Sequence, residues 1–474
     1  MRVLFVYLDT SSSEPIRIAP GITFLSGYLK RNNVETDLCY YRSQEDEEYC
    51  LNLLRDKKTE IVAVSSVTSV FGNAKVLIQK IKKEFPEIFV VCGGAHVSLF
   101  PEALTSTPGI DAICVGYGEE ALLELVRSIE DNKLDYKIRN IYFKVSNSII
   151  KNELRPFPEN LDKYFPEDRS IFYKEFKRKR FFNSDYEEFI FCRGCPYNCS
   201  FCSNHGLKLL GSGKYINYPK VETCINSIQQ AMKLRSFRIV NLHDDILMLN
   251  KTWFRQFVEQ YKKNIGLPFV CNARVGTISE ADIKMLKDAN CERIIIGIES
   301  GNEYIRNNIL NKKIGANSEI IGVFKLAHKY GIATSSQNMI GFPQENFLKF
   351  YDTVKINSQI LPNSPSMSVY YPYPGTDLYK IAKEEGMLKD ENHLNSPSII
   401  ERKESVLTIP GFAKKDIEFY ANNFKQMLLC EYLFNHCLFG DYLRKIMYAN
   451  YFLQKLIYGI LRMMLVVRRK LFIR

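Results

Sequence analysis

The sequence predicts an α/β protein in three parts: a doubly wound, Rossmann-like parallel sheet, a partial (β/α)6 barrel, and a helical C-terminal region. Three observations carry that reading. Short apolar runs alternate with helical stretches over roughly the first 150 residues. The same β-then-α rhythm returns six times between residues 185 and 397. After Pro410 the strand pattern stops and helical periodicity takes over.

In the first part, residues 1–145, strands are expected at 3–8, 36–41, 61–66, 89–92 and 111–115, and helices at 22–31, 46–54, 73–84 and 119–129. Strands this uniformly apolar need cover on both faces, which crossover helices provide, and such connections make the sheet parallel. Ligands on such sheets bind beyond the carboxyl ends of the strands. Small or flexible residues collect there: Ser65, Ser66 and Thr68 after the third strand, Gly93 and Gly94 after the fourth, Gly116 and Gly118 after the fifth. Glycine at a strand end lets backbone amides approach a ligand closely. No G-x-G-x-x-G follows the first strand, which argues against a nicotinamide dinucleotide.

Residues 146–184 carry Pro156, Pro158 and Pro166 among many charges and are expected to form an irregular connector. In the barrel, residues 185–397, strands are expected at 189–193, 237–242, 269–273, 293–297, 334–340 and 366–370. Such barrels place their chemistry on the loops at the strands' C-terminal ends. Polar sets fall there in phase: Asp244 and Asp245, Arg274, Glu299 and Ser300, Gly341 and Phe342 with Glu345, then Tyr371 and Tyr373. One such set is an ordinary solvated turn. A set at every strand end is not.

Composition narrows the function classes. At 474 residues the chain exceeds one core, and 46% hydrophobic with 25% charged residues is globular. Thirteen cysteines, four of them between 192 and 202 and the rest scattered, do not make a disulfide scaffold and fit a reducing, cytoplasmic setting. No export signal is evident at the N-terminus. From Leu438 to Arg474 eight basic residues face one acid, a net of +7 out of the chain's +11. The basic character therefore belongs to the tail, which argues against a broad nucleic-acid face.

The most informative run is Cys195-Pro-Tyr-Asn-Cys199-Ser-Phe-Cys202. Its C-x3-C-x2-C spacing brings three thiolates to one point and offers no fourth ligand at matching distance downstream. Structural zinc wants four ligands, commonly in two knuckles, and ferredoxin runs order their gaps differently. Three soft ligands on one loop suit a [4Fe–4S] cube whose fourth iron stays open. Cys192 is a weaker fourth candidate, since it ends a predicted strand.

This loop, with the aromatic Phe201 before its last cysteine, resembles the radical S-adenosylmethionine superfamily. The N-terminal runs Gly93-Gly-Ala-His-Val-Ser, Pro101-Glu and Gly116-Tyr-Gly-Glu-Glu120, with Pro20-Gly-Ile, resemble the cobalamin-binding domain that precedes many members. The resemblance implies that Cys195, Cys199 and Cys202 ligate the cluster. It places S-adenosylmethionine against Phe201, Asp245, Arg274, Glu299, Ser300, Gly341 and Phe342, with Asp245 at the amino group. It places cobalamin against Ser65, Thr68, Gly93, Gly94, His96, Gly116, Tyr117, Gly118 and Glu119. The D-x-H-x-x-G lower-ligand motif is absent, so cobalamin without a protein imidazole is expected, and His96 is read as shaping the tail region.

The implied activity is reductive cleavage of S-adenosylmethionine followed by methyl transfer to an unactivated carbon of a natural product or lipid, fed by an electron donor such as flavodoxin or ferredoxin. A cyclisation or rearrangement without net methylation is the enzymatic alternative, and a non-catalytic corrinoid or iron–sulfur carrier is the alternative of another class. Tyr370, Tyr371 and Tyr373 either line the substrate pocket or pack the barrel. On a helical wheel Arg444, Lys455, Arg462 and Arg469 form a basic stripe flanked by Tyr448, Tyr451 and Tyr458. That stripe suits either a peripheral contact with the inner face of a membrane or a helix packed on the barrel.

Overall fold

The computed structural model describes residues 1–10, 17–56, 59–146, 148–179, 185–389 and 402–472. Its first sheet holds β1 (Arg2–Leu8), β2 (Glu35–Tyr41), β3 (Ile61–Ser65), β4 (Phe89–Gly93), β5 (Ala112–Cys114), β6 (Ile141–Val145) and β7 (Ser148–Lys151). The order is β2-β1-β3-β4-β5-β6-β7, parallel through β5 and antiparallel in the last two pairs. Alternation along β1 explains the double winding. Leu4 and Val6 point into one apolar cluster, and Val3 and Phe5 into another on the opposite face. The sequence pattern missed β6 and β7, a hairpin that carries the sheet beyond residue 145.

The second sheet runs β8 (Tyr186–Phe189), β9 (Ile239–Leu242), β10 (Phe269–Ala273), β11 (Cys291–Glu299), β12 (Ala333–Ile340) and β13 (Ser364–Val369), every neighbouring pair parallel. This is the expected six-stranded partial barrel. One strand is displaced: the expected 189–193 is observed at Tyr186–Phe189. The Asp244 carboxylate takes the N–H groups of Phe191 and Cys192, pulling those residues out of the ladder and into the loop.

Outer-facing residues of these strands form one core with the crossover helices, including the fully buried Phe254 and Phe257 on Lys251–Asn264. Burying each such ring contributes about 1.5–3 kcal/mol. Asn250 caps that helix by accepting the Trp253 N–H at 3.2 Å.

The connector is less irregular than expected. Helix Ser170–Lys179 lies within it and binds both sheets. Arg178 reaches Asp46 at 2.9 Å in the first domain, and Arg169 reaches Glu187 of β8 at 2.7 Å. Both carboxylates are buried and each has a second cation, Lys179 for Asp46 and Arg235 for Glu187.

The C-terminal helices are Lys414–Asn422, Phe424–Asn435, Gly440–Ala449 and Tyr451–Phe472. Two of the four stripe cations bond to neighbouring helices: Arg444 pairs with Glu431 at 3.1 Å, and the exposed Arg462 donates to Asn423 at 2.9 Å. Tyr448 and Tyr458 pack inside. Of the two readings of that stripe, these contacts favour a helix packed on the protein, while the Arg469 side chain lies outside the described residues. Among the described residues no helix is long and apolar enough to cross a membrane.

Candidate functional site

The cysteine loop follows β8. Cys199 is buried, and Cys195 and Cys202 are partly exposed. All three are free thiols, and burial raises Cys195 and lifts Cys202 to about 12. Among the described residues, no three His, Cys, Asp or Glu side chains are closed to metal-binding distance. The donor set nonetheless fits a cluster by its chemistry: three sulfurs on one short loop, with mutual repulsion that a cluster's positive irons relieve. Cys192 is fully enclosed beneath Asp244 and raised well above the usual thiol range by burial. It belongs to the core rather than the ligand set.

Around that loop the barrel's carboxyl end is strongly charged. Asp245 is exposed toward the cleft and receives the Asn204 amide at 2.9 Å on both oxygens, while Asn204 itself accepts from the Tyr215 hydroxyl. The low-dielectric walls and the neighbouring Asp244 push Asp245 up to about 6. Arg274 is buried, stacks 3.7 Å from the centre of the Tyr197 ring, lies 3.8 Å from the Cys199 sulfur, and donates to the carbonyls of Lys312 and Lys313 at 3.1 Å.

Glu299 is the strained residue of the site. Its φ is +65°, in the left-handed region, and its carboxylate binds the Lys312 ammonium at 2.5 Å. Gly297 makes room for that pair, since a Cβ there would stand 2.5 Å from Lys312 Nζ. Lys312 also lies 5.9 Å from the Phe201 ring centre. Sequence reasoning missed Lys312, Asn204 and Tyr197. Tyr197 and Lys312 sit in loops and Asn204 on the short helix Ser203–Lys208, and only their proximity to the cysteines would have singled them out.

Other expected residues lie differently. Ser300 is fully buried, its hydroxyl accepting the Asn302 N–H. The Phe342 ring is in the core, 5.4 Å from Tyr370, so Tyr370 packs rather than lines a pocket. The Gly341 and Phe342 N–H groups already donate to Glu345, at 2.6 and 3.3 Å. Burial raises Glu345 to about 8.

The first sheet's edge is neutral by comparison. Gly94 has φ +103°, and a Cβ there would stand 2.5 Å from the Ser66 carbonyl. His96 is buried between Phe71 and Phe100, donates to or accepts from Thr68 at 3.1 Å, and is lowered to about 3 by burial and Lys75. Its Nε2 and the Ser66 hydroxyl are buried without partners. Two orphaned polar atoms beside a glycine turn fit a bound polar tail. The Gly116 N–H donates to Ser98 at 3.0 Å.

Glu119, expected on cobalamin, pairs with Arg193, which lies 4.9 Å from the Tyr117 ring centre and two residues before Cys195. The pair ties the first domain to the cluster loop.

The comparisons with known proteins follow this division. Residues 11–126 match the model of the B12 binding domain and residues 189–356 that of the Radical SAM superfamily. The chain carries a B12-binding domain followed by a radical SAM domain. Its cofactors are accordingly a [4Fe–4S] cluster, S-adenosylmethionine and cobalamin.

Among its relatives is an uncharacterized methyltransferase from Pyrococcus horikoshii, 27% identical over 336 residues, covering 70% of this chain and 71% of that one. Another is the anaerobic magnesium-protoporphyrin IX monomethyl ester cyclase of Rubrivivax gelatinosus, 26% identical over 80% of this chain and 70% of that one. The fold is shared with the methyltransferase TsrM from Kitasatospora setae, at a TM-score of 0.68, 15% identity, and coverage of 82% of this chain and 75% of that one.

Proposed function

We propose that this protein is a cobalamin-dependent radical S-adenosylmethionine enzyme that methylates an unactivated carbon of a small molecule. The observation that carries the proposal is the charged clamp of Asp245, Arg274, Glu299 and Lys312 beside the cysteine loop. A zwitterionic sulfonium presents an ammonium, a carboxylate and a ribose, and this set offers an anion, a cation and an acceptor in the same place.

When bound, the cofactors supply the reductive homolysis and the methyl group. In this reading Cys195, Cys199 and Cys202 hold the cluster. Asp245, oriented by Asn204, receives the ammonium, and Lys312 the carboxylate. Glu299 faces the ribose. Arg274 is a positioning residue that fixes the cysteine loop against residues 312–313. The N-terminal glycine edge, with Ser65, Thr68, Gly93, Gly94 and Gly116, cradles cobalamin, and Arg193–Glu119 holds it over the clamp.

A small reductase such as flavodoxin or ferredoxin supplies the electron. Peripheral contact with a membrane, if made, runs through Leu438, Phe439, Tyr442 and Phe452, the most exposed apolar side chains of the tail. Similarity to the Rubrivivax cyclase favours ring closure as the second reading.

The test is anaerobic reconstitution followed by assay of 5′-deoxyadenosine, S-adenosylhomocysteine and product mass. Both nucleosides with a product one methyl heavier are expected. 5′-Deoxyadenosine without the mass gain selects the cyclase reading, and its absence under reducing conditions refutes both.

A further inference from the structure

Below the clamp, toward the amino ends of the strands, the barrel's inner face is unexpectedly polar. Strand alternation identifies that face. Phe269, Cys271 and Ala273, and likewise Ile294, Ile296 and Ile298, join the outer core, so Val270, Asn272 and Ile295 point inward. Register then aligns the rows: Glu188, Asn241, Val270, Arg293 and Ala333 in one, Ser335 and Ser364 beside Ile295 in the next, Gln337 and Ser366 beside Gly297 in the third. Glu299 and the clamp stand just above.

These rows are built but incompletely satisfied. Glu188 is 5% exposed, binds His243, and receives the Asn241 amide at 2.7 Å. The Asn241 carbonyl oxygen and Arg293 Nε are buried without partners. The Gln337 amide and the Ser335, Ser364 and Ser366 hydroxyls have no side-chain partner among the described residues. Val270, Ile295 and Ala333 are the apolar members, and none is aromatic.

We propose that this inner face binds a polyhydroxylated part of the substrate, with Asn241, Arg293 and Gln337 as specificity-determining residues. The inference rests on the radical SAM reading and names its substrate class. A hydroxyl both donates and accepts, so it complements amides, hydroxyls and a carboxylate alike. An alkyl chain or flat macrocycle displacing water here would leave the Asn241 carbonyl, Arg293 Nε, Gln337 and the serine hydroxyls unpaired, each weakening affinity by about tenfold or more.

The test measures binding of methyl β-glucoside, octyl β-glucoside and 1-octanol to the anaerobically reconstituted, cobalamin-loaded full chain by saturation-transfer NMR with titration. Both glucosides are expected to bind, with Gln337→Leu and Asn241→Leu each weakening them about tenfold while leaving 1-octanol unaffected. Equal affinity of the two glucosides assigns the recognised group to a free polyol. A marked preference for the octyl form assigns it to a lipid headgroup, and in both cases the proposal stands.

Failure of both glucosides to bind, unchanged affinity in variants that retain cluster absorbance and a cooperative melt, or competition by 1-octanol overturns it. Because 5′-deoxyadenosine formation is measured without these probes, failure of the lumen proposal is distinguishable from failure of the enzyme reading.

Discussion

The two parallel sheets finish their carboxyl edges in opposite ways. The first ends, at its centre, in glycines, hydroxyls and a neutral histidine, with the ion pairs Asp9–Arg42 and Glu119–Arg193 to either side, and its orphaned atoms there are Ser66 Oγ and His96 Nε2. The second ends in partnered charges: Asp245 held by the Asn204 amide, Glu299 paired with Lys312, and Arg274 stacked on Tyr197 beside the Cys199 sulfur. A neutral, glycine-lined edge recognises a ligand by shape and backbone amides. A charged, half-buried edge recognises one by complementary charge, and tolerates those charges because each has a partner. One fold principle thus serves two kinds of cofactor.

The comparison breaks first at the cysteines. Cys199→Ala should abolish the visible iron–sulfur absorbance and all 5′-deoxyadenosine while cobalamin binding persists. Loss of both would show that the two edges are not independent.

The link between the edges comes next. Arg193→Met leaves Glu119 buried and unpaired, and should destabilise the protein by about 3–5 kcal/mol in a denaturant melt. The double variant with Glu119→Gln should recover most of that loss.

On the neutral edge, Gly94→Val forces a Cβ against the Ser66 carbonyl in a left-handed backbone, and should weaken cobalamin binding while leaving iron content unchanged. On the charged edge, Lys312→Met should raise the dissociation constant for S-adenosylmethionine roughly 10–100-fold. It should also diminish the change that S-adenosylmethionine causes in the electron paramagnetic resonance of the reduced cluster. A Gly94 effect on S-adenosylmethionine, or a Lys312 effect on cobalamin, would dissolve the contrast.

The smallest effect concerns pH. Glu345 is held protonated in the folded state up to about 8 but ionises near 4.5 when unfolded, so the folded protein binds more protons between those values. Stability should therefore fall as pH rises from 5 to 8. Glu345→Gln, which keeps an acceptor for the Gly341 and Phe342 N–H groups, should flatten that slope in thermal melts at pH 5.5 and 7.5.

Much of this was legible before any coordinates. Eleven of the thirteen strands follow from the β-then-α rhythm, most plainly in the first sheet, whose strands are apolar on both faces, and less so in β12 and β13, which carry serines and Gln337. The hairpin β6–β7 escaped because its residues alternate weakly and border a charged segment. Helix Ser170–Lys179 escaped because its apolar face, Ile171, Phe172 and Phe176, is short and interleaved with charges. The cysteine loop was legible since its ligands are adjacent in sequence. The Glu119–Arg193 pair escaped because its members stand 74 residues apart.

The sequence by itself determined the two sheets, their order along the chain and the three-thiol loop, for these depend on short-range periodicity and spacing. Tertiary structure alone decided which charges meet: Lys312 with Glu299, Arg193 with Glu119, Asn204 with Asp245. It also decided that the barrel's inner rows are polar, since facing is set by strand register. Such pairings depend on where parallel strands place residues far apart in the chain, and no local pattern encodes that distance.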